Sequence, residues 1–167
     1  MNAIGFVKRN SVWEELGQLL YRAESRPFID NYRVKDSNAP ARDMKKLIEN
    51  LEPELLPGRF VFIDGNLLEG RNPEDFEVLA SVMEPEGPSL VLRQGDADRN
   101  GLEYDFVASW IVLTVESALD AVGLTAEVST RLAEAGIACN VVAGLRHDHL
   151  LVPSEEAERA VRALQRP

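Results

Sequence analysis

An apolar run from Phe106 to Val115 constrains the fold of this chain more than any other feature. It contains Trp110-Ile111-Val112-Leu113, and its length and β-branched content are typical of a buried strand. The run is too short to cross a membrane as a helix, which needs ~20 apolar residues. The sequence therefore predicts a sheet in which this strand is buried.

The residues after this run alternate between helix and strand signals. Apolar residues at helical spacing predict a helix with Gly136 as its C-cap, and its core-facing residues are Leu124, Val128, Leu132 and Ala135. Strands are predicted at Ile137–Val142 and His149–Val152. A last helix opens at Pro153-Ser154, and its core face is Ala157, Ala160, Val161 and Leu164. Strand, helix, strand, strand, helix is the order of an α+β unit of the split-βαβ kind.

A weaker alternation precedes the apolar run. Strands are predicted at Phe60–Ile63 and Leu90–Leu92, and a polar loop at Gln94–Glu103. Helices are predicted at Arg42–Leu51 and from Asn72-Pro73, and the apolar face of the second is Phe76, Leu79, Ala80 and Met83. Two units of about 60 residues would account for the chain from Arg42 to its end.

The first forty residues follow a different pattern. Ser11-Val12-Trp13-Glu14 matches a capping box and predicts a helix from Ser11 to Glu24. Its apolar residues at helical spacing are Val12, Leu16, Leu19, Leu20 and Ala23. Arg26 to Pro40 is polar and interrupted by proline and asparagine, so it is predicted to be a linker or an irregular segment.

Charge and cysteine content limit the classes of function. The formal net charge is -10 and the sequence pI about 4.7, which makes the chain a poor general binder of nucleic acid or anionic membrane. Cys139 is the only cysteine, so no intrachain disulfide forms and the reducing cytoplasm is the predicted compartment. The apolar patch before Lys8 and Arg9 has the reverse order of a signal peptide.

Three sets of residues invite a chemical interpretation that competes with a structural one. Asp96 to Gly101 matches the first half of an EF-hand loop, but Val107 stands where the bidentate glutamate belongs, so a polar turn is favoured. His147 and His149 are the only histidines and lie on one face of a predicted strand, but a metal site needs more ligands. The apolar neighbours of Cys139 favour a small buried hydrophobic residue over an activated thiol.

The most informative loop joins the buried strand to the following helix, from Ser117 to Thr125. Gly123 permits a close backbone approach, and the free amides at the helix start point outward with its positive end. That arrangement is suited to binding a carboxylate. An ordinary strand-to-helix turn, with Ser117 or Asp120 as the cap, explains the same residues equally well.

Two stretches of sequence resemble the ACT domain. One is Val122-Gly123-Leu124-Thr125-Ala126-Glu127-Val128-Ser129. The other is Gly136-Ile137-Ala138-Cys139-Asn140-Val141-Val142-Ala143-Gly144, followed by His147-Asp148-His149-Leu150-Leu151-Val152-Pro153. More narrowly, the chain resembles bacterial tandem-ACT proteins of uncharacterised function, related to CASTOR-type amino-acid sensors. Leu145-Arg146 departs from the pattern, since relatives tend to carry aromatic residues there.

The resemblance implies two ferredoxin-like βαββαβ units, each an antiparallel sheet with helices on one face. The implied division is an N-terminal helical extension at 1–40, a first unit at 41–105 and a second at 106–167. It also implies that an amino acid or similar metabolite binds at the interface between ACT units, and that the chain forms a homodimer. The ligand-binding residues carried over are Leu119, Asp120, Val122, Gly123, Leu124, Thr125 and Asn140.

The leading hypothesis is therefore a non-enzymatic regulatory module, without catalytic residues, cofactor or metal, that binds a small molecule. It predicts neither a nucleic-acid partner nor a membrane partner. Two other hypotheses remain open. One is a protein–protein interaction scaffold without ligand, and the other is a metal-dependent enzyme that uses His147 and His149.

Overall fold

The computed structural model describes residues 40–71 and 75–165. The helix predicted at Ser11–Glu24 and the helix start at Asn72-Pro73 lie outside these residues. The helices are α1 (Met44–Glu49), α2 (Gln94–Arg99), α3 (Leu124–Glu134) and α4 (Ala157–Leu164). The strands are β1 (Pro53–Leu55), β2 (Phe60–Asp64), β3 (Val78–Glu84), β4 (Gly87–Arg93), β5 (Val107–Leu113), β6 (Asn140–Ala143) and β7 (Asp148–Pro153).

The described residues cluster into two compact units. One consists of residues 59–107, and the other combines residues 40–58 with 108–165. Each unit is described below by itself.

The first unit is built on β2, β3 and β4. The strands are antiparallel, with β4 between the other two. Two of the core residues on β2 are Val61 and Ile63, which pair with Leu92 and Leu90. Buried residues outside the sheet complete this core, namely Leu68, Phe76, Ala97 and Leu102.

The helix predicted over Phe76 to Met83 is wrong, because Val78–Glu84 is strand β3. Its spacing imitates a helix because the register shifts between Val78 and Ala80, where a β-bulge interrupts strict alternation. Val82 and Met83 are about half exposed, so the end of the strand shows no buried face. A tight hairpin at Pro85-Glu86 then returns the chain into β4.

The polar loop predicted at Gln94–Glu103 is wrong over its first part, because Gln94–Arg99 is helix α2. The segment lacks a clear apolar stripe, and within the helix only Asp96 and Ala97 are buried. The Asn100 side-chain amide donates to the Asp96 carbonyl and helps to end the helix. Such a short helix leaves too few apolar positions for a periodic signal.

The second unit contains the apolar strand, and the prediction that this strand is buried is confirmed. Its sheet has the order β1–β5–β7–β6, with antiparallel pairing throughout. Every residue of β5 from Ala108 to Leu113 is buried. The helix predicted from Leu124 and the strand predicted at His149 are also confirmed, as α3 and β7.

One face of this sheet packs against the helices. Ile111 and Leu113 on β5, and Leu150 and Val152 on β7, share this face. The helix residues of the same core are Leu47 on α1, Leu124, Val128 and Leu132 on α3, and Ala160, Ala163 and Leu164 on α4. Of the predicted face of α4, Val161 is only partly buried.

Strand β1 joins this sheet from an earlier part of the chain. Pro53 pairs with Leu113 and Leu55 with Ile111, so β1 closes the edge of β5 opposite β7. After β5 the chain runs through α3, β6, β7 and α4, which is the predicted order of helix, strand, strand, helix. Strand β1 supplies the remaining strand of the βαββαβ unit. The chain therefore folds into α+β units of the ferredoxin-like type, antiparallel sheets with helices on one face. None of the described helices is long and apolar enough to span a membrane.

The burial of α3 on this core gives a stability prediction. Leu132 is fully buried, whereas Leu145, in the turn after β6, is 76% exposed. We expect Leu132→Ala to lower the free energy of unfolding by roughly 2 to 5 kcal/mol, because it leaves a cavity. The matched change Leu145→Ala should stay within about 0.5 kcal/mol. Urea denaturation of both variants measures this, and equal losses would contradict the packing described.

Candidate ligand-binding loop

The loop between β5 and α3 ends at a helix start that glycine alone suits. Gly123 is the N-cap of α3 and has φ 108°, in the left-handed region that L side chains rarely adopt. No described side chain caps this helix start by a hydrogen bond. The first-turn amides and the positive end of the helix dipole are therefore available to an anion.

Of the residues around Gly123, one is buried in the core and the others are exposed to solvent. Leu124 is buried in the core and fixes the helix start on the sheet. Leu119 and Val122 are 73% and 86% exposed, and Thr125 is also exposed. The loop thus presents apolar side chains to the solvent beside a set of backbone donors.

A segment that the sequence analysis did not assign to the site lies against this loop. Ala41 forms a parallel bridge with Ser117: its amide donates to the Glu116 carbonyl at 3.0 Å, and the Ala118 amide donates to the Ala41 carbonyl at 3.1 Å. We call residues 41–44 the strap. Nothing in the sequence around Ala41 signals this pairing, because its partners lie more than seventy residues further along the chain.

Two strap side chains reach the predicted site residues. The Arg42 Nε donates to both carboxylate oxygens of Asp120, at 2.9 and 3.2 Å. Met44 lies beside the helix start, and a Cβ added to Gly123 would lie 3.4 Å from its sulfur. Arg42 and Asp120 are both mostly exposed, so their ion pair contributes little to stability. The ion pair instead offsets the negative charge of Asp120 next to the uncapped amides of α3.

The turn that departs from the family pattern also approaches this region. Arg146 lies between β6 and β7, and its guanidinium is 3.6 Å from a carboxylate oxygen of Glu116. The Glu116 side chain is 8% exposed. The loop start is thus held from two sides, by the strap and by the turn before β7.

Asn140 lies elsewhere on the second unit. It begins β6 and pairs with Leu151, which in turn pairs with Trp110 in the middle of β5. The loop leaves β5 at Leu113, three residues further along, so the register separates the two by about 10 Å along the strands. The structure therefore groups the predicted residues of the loop with one another and does not bring Asn140 into contact with them within this sheet.

The histidine pair is divided between two environments. His149 lies on β7, where its Nδ1 accepts a hydrogen bond of 3.1 Å from the Trp110 indole, and the two rings meet edge-on. His147 is buried before the strand, and its carbonyl accepts from the Gly144 amide. Burial, and secondarily the nearby His147, lower the pKa of His149 below its usual 6.5. Burial also raises the pKa of Asp148, partly offset by His147.

The other candidate groups have structural roles. In residues 40–71 and 75–165, no three His, Cys, Asp or Glu side chains are grouped as metal ligands. Of the partial EF-hand, Asp96 is engaged by Arg99, and Asp98 accepts from the Tyr104 hydroxyl at 2.6 Å. Cys139 is half-buried against the core, and burial raises the pKa of its thiol to about 11. Its packing against this core agrees with the prediction of a small apolar residue at this position.

These features define a class of protein: ferredoxin-like modules with an uncapped helix start after the central strand. Two family models, each described as an ACT domain, match in tandem at residues 39–109 and 106–166. The chain belongs to the ACT-domain family. ACT domains are typically regulatory modules that bind small molecules, amino acids in particular.

Two solved structures are among those similar to this chain. A crystal structure of a protein of unknown function from Vibrio cholerae, described as a possible transport protein, is similar at 42% identity. The match covers 71% of this chain and 90% of that one, with a TM-score of 0.61. The aspartokinase alpha and beta subunits match at 15% identity over 67% of this chain and 93% of theirs, with a TM-score of 0.49. A comparison with functionally curated proteins gave no significant match.

The environment of His149 predicts how stability depends on pH. Because its pKa is lowered on folding, the unfolded chain binds more protons just below pH 6.5, and the free energy of unfolding falls as the pH is lowered through that window. We expect the melting temperature to drop between pH 7.5 and 5.5. The melting temperature of the His149→Gln variant should drop less over the same pH range, whatever the absolute stability of that variant. Thermal melts at both pH values test this, and equal slopes in the two proteins would contradict it.

The raised pKa of Asp148 acts in the opposite sense, from its ordinary value of 3.8 upward. The folded state binds that proton more tightly, so this group alone lowers stability as the pH rises above its ordinary value of 3.8. The variant Asp148→Asn is therefore a control, because removing an opposing contribution leaves the slope between pH 7.5 and 5.5 unchanged or steeper, whereas His149→Gln makes it shallower.

Proposed function

We propose that this protein is a non-enzymatic regulatory module that binds an amino acid or a similar small carboxylate at residues 119–125. One observation carries the proposal: the N-terminus of α3 begins at a left-handed glycine, has no side-chain cap among the described residues, and belongs to an ACT unit. Backbone amides at such a helix start hold a carboxylate by hydrogen bonds, and the dipole adds to the attraction. The exposed Leu119 and Val122 would contact the rest of the ligand.

The Arg42–Asp120 pair supports an anionic ligand group at this place. An isolated carboxylate at position 120 would repel a ligand carboxylate nearby, but Arg42 lies within hydrogen-bond distance and offsets its charge. The resemblance to ACT domains implies that Asp120 binds the ligand directly. The ion pair favours a second role for it, in which Asp120 orients Arg42 beside the helix start.

Three finer parts of the proposal remain predictions. They are the participation of Asn140, a ligand position at the interface between ACT units, and a homodimer whose stability rises when ligand binds. The cytoplasmic location and the absence of catalysis are predictions of the same kind.

A scaffold without ligand is the second candidate function. Within the first unit, β3 is the outer strand of the β3–β4–β2 order, and Val82 and Met83 on it are about half exposed. An outer strand with exposed apolar residues can add a strand from another chain. This candidate predicts a change of assembly, and no change in small-molecule binding, when Val82 is replaced by lysine.

The first test is a thermal-shift screen with the twenty amino acids and small carboxylates, followed by two matched variants. Gly123 and Gly136 lie at opposite ends of α3, and both have positive φ. Valine at either position therefore strains the backbone in the same way. We expect Gly123→Val to abolish the shift, because the side chain distorts the amides that hold the carboxylate, and Gly136→Val to keep it.

A ligand present at 100 times its dissociation constant adds about 2.7 kcal/mol to stability, a shift of several degrees. Circular dichroism first establishes that both variants are folded. A ligand that binds Gly123→Val as tightly as the unaltered protein would overturn the proposed site. If no compound shifts the melt, the scaffold is favoured.

The ion pair beside the loop gives a charge test. We expect Arg42→Ala to weaken binding of the ligand found in that screen several-fold, because it leaves the Asp120 carboxylate uncompensated near the bound anion. The double variant Arg42→Ala/Asp120→Ala should recover most of the loss. Calorimetric titration at low and high salt measures both effects. A loss in the double variant equal to that in the single one would contradict the role given to Asp120.

A further inference from the structure

Glu116 is a buried carboxylate that receives no hydrogen bond from any described residue. Its side chain is 8% exposed, and Arg146 is its ion-pair partner, with 3.6 Å between Nη1 and Oε1. A charge-assisted hydrogen bond is shorter, at about 2.7 to 2.9 Å. Because the Arg146 side chain is 69% exposed, it offsets the charge of Glu116 without filling its acceptor sites.

Other acidic side chains of the same unit do receive such bonds. Asp120 accepts from Arg42 with both oxygens, and Glu127 accepts from Arg131 at 2.8 Å. Both are more exposed than Glu116, at 69% and 39%. Burial removes the water that would otherwise donate to a carboxylate, and the cost is recovered only when other donors replace it. The open acceptor sites of Glu116 therefore point to a cationic donor from outside the chain.

We propose that Glu116 binds the ammonium group of the ligand, so that the ligand is an amino acid rather than a simple carboxylate. This inference rests on the proposed function, in which the ligand carboxylate is held at the start of α3. A primary ammonium is compact and carries three donors, which suits a buried carboxylate with open acceptor sites. The exposed guanidinium of Arg146 gives way to that ammonium when the ligand binds.

The strap connects Glu116 to the helix start. The Ala41 amide donates to the Glu116 carbonyl at 3.0 Å, and a Cβ added to Gly123 would lie 3.4 Å from the sulfur of Met44. Three residues of extended chain span at most about 10 Å, so the two strap residues that make these contacts are no further apart than that. A small zwitterion with a protein partner at each end spans a comparable distance.

Pairs of compounds that differ only by the ammonium group test this role in calorimetric titrations of the full chain. They are glycine and acetate, alanine and propionate, leucine and isocaproate, and phenylalanine and hydrocinnamate. We expect at least one amino acid to bind about ten-fold or more tightly than its deaminated partner, as a hydrogen bond between charged groups provides. Glu116→Gln should lose most of this preference. The control Glu134→Gln, at the exposed end of α3, should keep it.

Arg146 provides a second variant with the opposite sign. We expect Arg146→Gln to bind the same amino acid several-fold more tightly, because the competing guanidinium is gone, and to bind the deaminated acid no more tightly. An unchanged affinity for the amino acid would contradict the displacement of Arg146.

The outcomes separate this inference from the proposed function. Equal affinity for both members of every pair that binds would overturn the role of Glu116 and leave a carboxylate site at α3. A preference fully retained in Glu116→Gln would overturn it as well. If no compound of either kind binds, the proposed function fails and the role of Glu116 fails with it.

NMR of the unaltered protein keeps the test decisive if Glu116→Gln does not fold. We expect the side-chain carboxyl carbon of Glu116 to shift when the amino acid is added and to stay in place when its deaminated partner is added. An unshifted resonance at a saturating concentration of the amino acid would refute the proposal.

Discussion

The antiparallel pairing of β5 with β1 and β7 is the interaction on which the second unit depends. It places a strand that is apolar except for Ser109 in the middle of the sheet, where both of its edges are hydrogen-bonded. Its register aligns Ile111 with Leu150, and this row meets the buried side chains of α3 and α4. The candidate site follows directly, because the loop begins where β5 ends and stops where α3 must turn back onto the sheet.

The sequence predicts this unit well because burial and periodicity agree there. β5 is apolar on both faces, and α3 repeats Leu124, Val128 and Leu132 at helical spacing above it. The first unit shows where such reasoning stops. In β3 a register shift between Val78 and Ala80 produces a helix-like spacing of apolar residues. The end of the strand, residues 81–84, is exposed and gives no alternating pattern. Local pattern alone does not contain the pairing with β4 that decides between the two structures.

Only part of the candidate site can be predicted from the sequence. The glycine at the start of α3 is readable from the sequence, because a helix start after a buried strand calls for a residue that accepts positive φ. The strap is not readable, since Arg42 and Asp120 are brought together only by the bridge between Ala41 and Ser117. Asn140 was assigned by resemblance, and its distance from the loop follows from strand register, which the sequence of β6 does not fix.

Strand β1 has a consequence for how the protein is made. A ribosome releases β1 before it has synthesised the first unit, and β5 appears only after that unit is complete. The edge of β5 is therefore closed by a segment that has waited through the synthesis of a whole intervening unit, a contact of long sequence separation and correspondingly slow formation. Until then the segment keeps unpaired backbone groups. Any protease that cuts between β1 and β5 would leave β1 attached to the second sheet by noncovalent contacts alone, namely the hydrogen bonds to β5 and the packing of α1 on the core.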